Sequence, residues 1–249
     1  MLNKVPAVTL FFWLIKILST TVGETAADYL VVHAGLGTVI TCAIMTSLLA
    51  WALFIQIRIN RYVPWIYWLS VVLLSIVGTQ ITDALTDGMG VSLYLSTSVF
   101  CVLLAVVFGA WYRRERTLSI HTIVSRRREL FYWTAILLTF ALGTAAGDLA
   151  TEALGLGFRL GTGIFAGLIA LIYFAYRLGA NPVLAFWLAY ILTRPLGASL
   201  GDLFSQTPEY GGLGWGTINT SIAFLSTITI LVLFLTFDQR SQRARMSKN

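Results

Sequence analysis

The sequence is poor in charged side chains. Of its 249 residues, 11% are Asp, Glu, Lys or Arg, where soluble domains carry about a quarter. It is 57% hydrophobic, with a mean hydropathy of +0.81. This combination excludes an ordinary soluble domain and predicts a protein embedded in a lipid bilayer.

Cysteine and histidine are also scarce. Cys42 and Cys101 both lie in apolar segments, which excludes a disulfide framework and favours buried free thiols. His33 and His121 lie in predicted loops, and neither belongs to the His/Cys clusters that are typical of metal sites. No nucleotide-binding glycine loop and no Ser-His-Asp set is visible. We therefore expect no enzymatic activity and no cofactor.

The basic residues lie where a membrane topology predicts them. The formal net charge is +6, yet all Lys and Arg except Lys16, Arg159 and Arg194 lie at the termini or in alternate loops. Basic loops mark the cytoplasmic side, so we expect both termini and the loop 113–130 to be cytoplasmic. The charge therefore excludes a nucleic-acid-binding patch. The Arg126–Arg128 run is most simply a topology anchor, with a contact to anionic lipid as a second interpretation.

Eight apolar stretches are each long enough to cross a bilayer core about 30 Å thick. They lie near residues 7–30, 36–58, 64–85, 90–112, 131–153, 157–177, 182–204 and 215–237. The odd-numbered stretches share the spacing W-x9-G-x4-D, which occurs at Trp13/Gly23/Asp28, Trp68/Gly78/Asp83, Trp133/Gly143/Asp148 and Trp187/Gly197/Asp202. A Gly-Φ-Gly turn, where Φ is apolar, follows each copy at 35–37, 88–90, 155–157 and 212–214.

These repeats predict an all-α, polytopic membrane protein with eight transmembrane helices in a single domain, 1–249. Each repeat is expected to be a helical hairpin in which a motif helix is followed by a plain helix. The four hairpins are expected at 7–60, 62–116, 127–178 and 181–238. Because each hairpin has two spans, all four repeats enter the membrane in the same direction and are parallel repeats.

The motif aspartates are the candidate site. The rise from Trp to Asp is about 22 Å, which puts the aspartates in the outer third of the bilayer, where carboxylates are costly and mark ion or proton pathways. We predict that the cation-binding, metal-ligating residues are Asp28, Asp83, Asp148 and Asp202. Carboxylates at i±4 spacing give three secondary ligands, Glu24, Asp87 and Glu152. The alternative is that the aspartates cap helix turns, pair with Arg159 or Arg194, or lie at the hydrated outer interface.

Other residues of the motif helices have structural interpretations. Each motif glycine and a small residue four positions later, at Ala27, Thr82, Gly147 and Gly201, predict close helix contacts. The motif tryptophans are expected to be interfacial anchors. Lys16 is expected to snorkel to the cytoplasmic surface. Arg194, followed by Pro195, is expected near mid-membrane as a counter-ion or a gate, held by a carboxylate of another repeat or by freed carbonyls.

Several runs of the sequence carry a resemblance to a known family. They are Phe12–Leu18, Gly23–Thr25, Leu142–Asp148 and Leu192–Asp202. With these runs the chain resembles, over essentially its whole length, a bacterial family labelled as uncharacterised membrane-anchored proteins. The run ILTRPLGASLGD, which ends at Asp202, is the most specific element. The resemblance implies a bacterial inner-membrane location and four repeats, and it brings no established activity.

The expected function is transport of a small hard cation, either a divalent metal or Na⁺. Exchange of this cation for protons is one form that the transport can take. Oxygen ligands suit Mg²⁺, Mn²⁺, Ca²⁺ or Na⁺, and the lack of Cys or Met near the cluster disfavours soft metals. The rival is a non-transporting membrane scaffold or partner subunit whose acidic residues only hold helices together. The expected partners are the lipid bilayer and the cation, with no nucleic acid, and a homo-oligomer is compatible with the sequence.

Overall fold

The computed structural model describes residues 3–30 and 37–246, with side chains described as far as residue 241. Eight long helices are present in these ranges: α1 Leu10–Asp28, α2 Gly37–Arg58, α3 Pro64–Asp83, α4 Leu93–Glu115, α5 Arg126–Asp148, α6 Gly157–Arg177, α7 Pro182–Ser205 and α8 Thr217–Met246. Each is long and apolar enough to cross a membrane, and none of the described residues forms a strand. The predicted all-α polytopic fold is confirmed. His33 and two members of the first Gly-Φ-Gly turn, Gly35 and Leu36, lie outside the described residues.

The helices begin and end where local chemistry favours it. The side chains of Ser125 and Asn181 accept hydrogen bonds from first-turn N–H groups of α5 and α7, which compensates donors that have no intrahelical partner. Beyond α3, α5 and α7 the chain reverses through glycines with positive φ, at Gly90 (+70°), Gly155 (+67°) and Gly214 (+77°). Side chains other than glycine rarely adopt this backbone conformation, so these predicted turns depend on their glycines.

The eight helices form an inner ring and an outer layer. Helices α1, α3, α5 and α7 pack against one another in cyclic order, and α7 packs against α1 to close the ring. In the most apolar 18-residue segment of each motif helix, 61–83% is buried inside the protein. The corresponding value is 11–17% in α2, α4, α6 and α8. The outer helices therefore present an apolar surface to the lipid. Cys42 is half-buried and Cys101 is exposed on this surface, so the prediction of a buried thiol is wrong for Cys101, whose helix faces outward.

The four hairpins interlock with one another. Helix α2 packs mainly against α3, α4 against α5, α6 against α7, and α8 against α1. Each plain helix thus lies behind the motif helix of the next repeat, and the last plain helix lies behind the first motif helix. No repeat completes its own packing, so the inner ring and the outer layer support each other around the whole circumference.

The motif helices meet through their glycines. A Cβ atom added to any motif glycine would collide with the residue three positions before the motif glycine of the next repeat. These contacts run in cyclic order and join Gly23 to Ser75, Gly78 to Phe140, Gly143 to Arg194 and Gly197 to Thr20. The close contacts predicted at the four motif glycines are confirmed, whereas at Gly147 the nearest atom to an added Cβ is 3.4 Å away, an ordinary packing distance.

A second cyclic layer is aromatic. The aromatic residue before each motif tryptophan packs against the tryptophan of the next repeat, with ring centroids 5.4–6.3 Å apart. The pairs are Phe12 with Trp68, Tyr67 with Trp133, Tyr132 with Trp187, and Phe186 with Trp13. Trp68, Trp133 and Trp187 are at most 4% exposed. The prediction of interfacial anchors is wrong for these three, because aromatic packing between repeats buries them inside the protein.

The end of the bundle where the motif helices begin is here called the basic end, and the opposite end the acidic end. A segment before α1 covers the basic end, where the Lys4 backbone N–H donates to the Ile123 carbonyl at 3.1 Å. Lys4 Nζ forms an ion pair with Glu129 at 2.6 Å and donates to the Ile57 carbonyl at 3.0 Å. The two charged side chains are 3% and 1% exposed. A buried ion pair therefore ties the N-terminal segment to α2 and α5.

Candidate functional site

The four motif aspartates lie at or near the acidic ends of the motif helices. Helices α1, α3 and α5 end at Asp28, Asp83 and Asp148. In each case the chain continues as a π-helical turn, at 29–30, Ala84–Gly88 and Leu149–Ala153. Helix α7 instead runs past Asp202 to Ser205. Short π-helical turns within helices are frequent at functional sites, and here three of them follow the aspartates directly.

The carboxylates are graded from an exposed rim to a buried centre. Asp87 and Glu152 are exposed, and the four motif aspartates are half-buried. Each of the four lies within Coulombic range of Glu24, which is only 7% exposed. Glu24, predicted as a secondary ligand, is therefore the most buried of the seven predicted acidic residues. We call the seven predicted acidic residues together the acidic vestibule.

The vestibule is not closed into a coordination sphere. Among the residues that the structure describes, no group of three or more His, Cys, Asp or Glu side chains is placed to hold a metal ion. The four motif aspartates each come from a different helix of the ring, at or near its acidic end. Their assignment as metal ligands, at Asp28, Asp83, Asp148 and Asp202, stays a prediction.

Arg194 fills the centre of the ring beneath the vestibule, and its side chain is 0% exposed. Its Nη2 donates to Glu24 Oε2 at 2.7 Å and to Thr144 Oγ1 at 2.7 Å, and it also contacts Thr79 Oγ1. Its Nη1 donates to the Thr20 carbonyl at 3.2 Å. The expectation that a carboxylate of another repeat holds this cation is confirmed, and the carbonyl that also accepts from it belongs to Thr20 of α1 and is not one that Pro195 frees in α7. One guanidinium thus joins α1, α3, α5 and α7.

The partners of Arg194 occupy equivalent positions in three repeats. Glu24, Thr79 and Thr144 each follow their motif glycine by one residue, and the fourth repeat has Ala198 there. Arg194 itself stands three residues before Gly197, where the other repeats have Thr20, Ser75 and Phe140. The ring is therefore symmetric in backbone and asymmetric in charge. The sequence places Thr79 and Thr144 among the hydroxyl residues around the carboxylates, and aligning the four copies on their glycines puts them at the position of Glu24, but neither was predicted as a ligand.

Lys16 lies deeper, toward the basic end, and is 0% exposed. Its Nζ lies 4.3 Å from the ring centroids of both Phe140 and Tyr190 and has no hydrogen-bond partner in the described part of the chain. The prediction that Lys16 snorkels to the surface is wrong, because the two aromatic faces hold the ammonium inside the ring by cation–π attraction. Lys16 and Arg194 are thus both basic side chains buried within the ring, beneath its acidic end.

Access to this centre differs between the two ends. At the acidic end, the half-buried aspartates lead from the exposed rim to Glu24. Toward the basic end, the aromatic layer and the Lys4–Glu129 ion pair are buried. Tyr67 and Tyr132, both 0% exposed, hydrogen-bond to each other across this layer through their hydroxyls. The residues toward the basic end are therefore more completely buried than the carboxylates at the acidic end.

Comparison with curated proteins and with solved structures yields no match. The repeat architecture is matched at the level of sequence family. Residues 11–62, 66–117, 131–179 and 185–241 each match the same repeat family, and each range includes one copy of the W-x9-G-x4-D motif. The chain belongs to the family described as Repeat of Unknown Function (DUF347), of which it carries four copies.

Proposed function

We propose that this protein transports a small hard cation across a bacterial inner membrane, and that the acidic vestibule is where the ion enters. The observation that carries the proposal is the gradient of carboxylates that leads from the exposed rim to Glu24 and the buried Arg194. Ionised groups at membrane depth are costly and usually mark ion or proton pathways. Packing alone does not require an aspartate at the same register in all four motif helices.

The ligand atoms favour a hard cation. The side chains of the vestibule and of the buried centre offer carboxylate and hydroxyl oxygens, which suit Mg²⁺, Mn²⁺, Ca²⁺ or Na⁺. Several carboxylates within Coulombic range of one another repel, so that a bound cation or a proton must compensate their charge. Competition between the two gives a physical basis for exchange with protons. The proposal requires no catalytic residue and no cofactor.

The proposed orientation places the acidic end outside the cell and the basic end in the cytoplasm. The basic residues at the ends of α2, α4 and α6 support it through the positive-inside rule. We expect a fluorescent reporter that folds only in the cytoplasm to be active when fused to the C-terminus or inserted in the loop 113–130. A phosphatase that is active only in the periplasm should give signal at 212–214. Phosphatase activity at the C-terminus would overturn this topology.

The decisive test of the function is ion flux in proteoliposomes. Asp148→Asn keeps the size and much of the hydrogen bonding of the side chain while removing its charge. We expect this variant to lose at least ten-fold of the flux of the transported ion, with an unchanged melting temperature. Flux should be followed for Na⁺, Mg²⁺, Mn²⁺ and Ca²⁺ in turn, with an acidic lumen and without one, so that proton exchange appears as acid-dependent uptake.

Glu209 provides a matched control for this experiment. It is exposed at the acidic end and lies outside the vestibule, in the short 3-10 turn Pro208–Tyr210. Glu209→Gln removes the same charge from the same end and should leave flux unchanged. Absence of flux for every ion, or equal flux in wild type and Asp148→Asn, would refute the assignment of the site.

One observation favours the second candidate, a non-transporting scaffold or partner subunit. Arg194 joins all four motif helices through buried polar contacts, and such a network holds helices together whether or not an ion passes. Under this alternative, Asp148→Asn changes at most the melting temperature, and no ion-dependent signal exists. The flux measurement and the melting temperature of the same two variants therefore separate the two functions.

A further inference from the structure

The oxygens around the Arg194 guanidinium resemble those that surround a bound inorganic cation in a protein. Three oxygens lie within hydrogen-bond distance of Nη2, one each from Glu24, Thr79 and Thr144. A guanidinium NH₂ group carries only two N–H donors, so the oxygens around this nitrogen outnumber its hydrogens. Oxygens crowded around one positive centre are the usual environment of a hard cation.

The two hydroxyl groups are oriented to accept. The Thr79 hydroxyl donates to the Ser75 carbonyl at 3.0 Å, and the Thr144 hydroxyl donates to the Phe140 carbonyl at 3.1 Å. Because each hydroxyl proton is engaged with its own helix, the oxygen lone pairs remain for the centre of the ring. These oxygens would face a bound cation in the same way as they now face Nη2.

We propose that Glu24, Thr79, Thr144 and the Thr20 carbonyl form an inner binding site for a monovalent cation, which Arg194 fills in this conformation as a tethered cation. The inference rests on the proposed function and names its substrate class. It moves the ion-binding centre from the four motif aspartates to the buried layer beneath them. The aspartates then attract the ion, and the inner site selects it.

Charge balance is the reason for a monovalent ion. The inner site contains a single carboxylate, Glu24, and one guanidinium balances it. Replacing the guanidinium with Na⁺ leaves the net charge of this low-dielectric region unchanged. A divalent ion would leave one positive charge without a balancing carboxylate in the inner site, which is costly at this depth.

The displaced guanidinium has a destination. Asp28, Asp83 and Asp148 in the vestibule each lie one helical turn beyond a residue that now contacts the guanidinium, namely Glu24, Thr79 and Thr144. When an ion takes its place at Glu24, the flexible arginine side chain can turn toward these carboxylates and remain compensated. The exchange thus couples occupancy of the inner site to the charge of the vestibule.

The test is equilibrium binding to the purified full-length protein, without any flux measurement. Arg194→Ala removes the tethered cation and leaves its oxygens free. We expect NaCl to raise the melting temperature of this variant by about 5 °C or more at saturating concentration, relative to choline chloride at the same ionic strength. Guanidinium chloride at low millimolar concentration should also raise it, and MgCl₂ at matched ionic strength should raise it less. Wild type should respond weakly to all three.

A second variant covers the case in which Arg194→Ala folds poorly because Glu24 is left buried without compensation. Glu24→Gln/Arg194→Met removes both charges and should fold with no preference for Na⁺ over choline. Recovery of folded Arg194→Ala only when it is purified in Na⁺ supports the site. The inference is overturned if Arg194→Ala responds equally to Na⁺ and choline, if Mg²⁺ stabilises it as much as Na⁺, or if it fails to fold in either salt while the double variant folds.

Failure of this inference is distinguishable from failure of the proposed function. Sodium binding to Arg194→Ala without any flux in wild type would leave the inner site standing and refute transport. Flux of a divalent ion that depends on Asp148, without monovalent binding to Arg194→Ala, would support transport and refute the inner site.

Discussion

Replacing Glu129 with alanine should lower the free energy of unfolding by about 3–5 kcal/mol, because the Lys4 ammonium is then left buried without its partner. The two side chains are 1% and 3% exposed, with 2.6 Å between Nζ and Oε2. Gln56 Nε2 also donates to Glu129, at 3.4 Å, and loses this acceptor. Denaturant or thermal unfolding in a mild detergent, followed through the fluorescence of the buried tryptophans, measures the effect.

The Arg127–Glu115 and Arg128–Glu115 ion pairs supply the comparison at the same end of the bundle. Their arginine side chains are 65% and 24% exposed, and pairs that water reaches contribute about 1 kcal/mol or less. We therefore expect Glu115→Ala to cost far less than Glu129→Ala. Lys4→Ala/Glu129→Ala should recover part of the loss, because neither charge is then stranded. A loss for Glu129→Ala as small as that for Glu115→Ala would mean that the N-terminal segment lifts away and hydrates Lys4.

Replacing Gly197 with alanine should lower the free energy of unfolding by about 1–3 kcal/mol, the usual cost of overpacking, and leucine should cost more. The new Cβ atom would lie 2.5 Å from Thr20 Cβ and 3.0 Å from the Thr21 backbone nitrogen. Thr20 cannot turn aside freely, because its hydroxyl donates to the carbonyls of Ile17 and Thr193. The α1–α7 contact must therefore open, and the ring with it.

Substitutions at two other glycines serve as controls for Gly197→Ala. At Gly147 the nearest atom to an added Cβ is 3.4 Å away, on Pro195, and at Gly163 no atom lies within 4 Å. Gly147→Ala and Gly163→Ala should therefore leave the melting temperature nearly unchanged or raise it slightly, since alanine favours the helix. A drop for Gly163→Ala equal to that for Gly197→Ala would show that helix propensity, and not the closeness of α1 and α7, determines the loss.

Hydropathy and the repeated motif were sufficient to predict the eight spans, the four repeats and the close glycine contacts. Apolar length and small-residue spacing report directly on the cost of membrane insertion and on how near two backbones approach. Neither quantity specifies which neighbour a helix chooses. The interlocking of α2 with α3, and of α8 with α1, is set by packing among all the helices and was not predicted.

The errors at Trp68 and Lys16 have a common physical origin. An aromatic residue or a lysine near the end of a span is most often found at the interface, and its position along the chain does not reveal which side of the helix it occupies. In both cases aromatic partners from other repeats made burial more favourable. The aromatic residue that precedes every motif tryptophan was a visible sign that these positions pair between repeats.

Within the candidate site, sequence spacing identified the carboxylates but not their order of depth. Glu24 and Asp28 are one helical turn apart, so both were expected on one face of α1. Only the structure distinguishes the buried Glu24 beside Arg194 from the half-exposed Asp28. The alignment of the repeats puts Thr79 and Thr144 at the position of Glu24, and the structure adds that both contact Arg194.

The closure of the ring between α7 and α1 has a consequence for biogenesis. Helix α1 enters the bilayer early in synthesis, carrying Lys16 and Glu24, while the guanidinium that pairs with Glu24 is 170 residues away along the chain. The translocation machinery, or a transient neighbour, must accommodate these two ionised groups until α7 has been inserted. Glu24 therefore acquires its buried counter-charge only when the fourth repeat joins the first, and in a chain truncated before Arg194 it has no guanidinium partner.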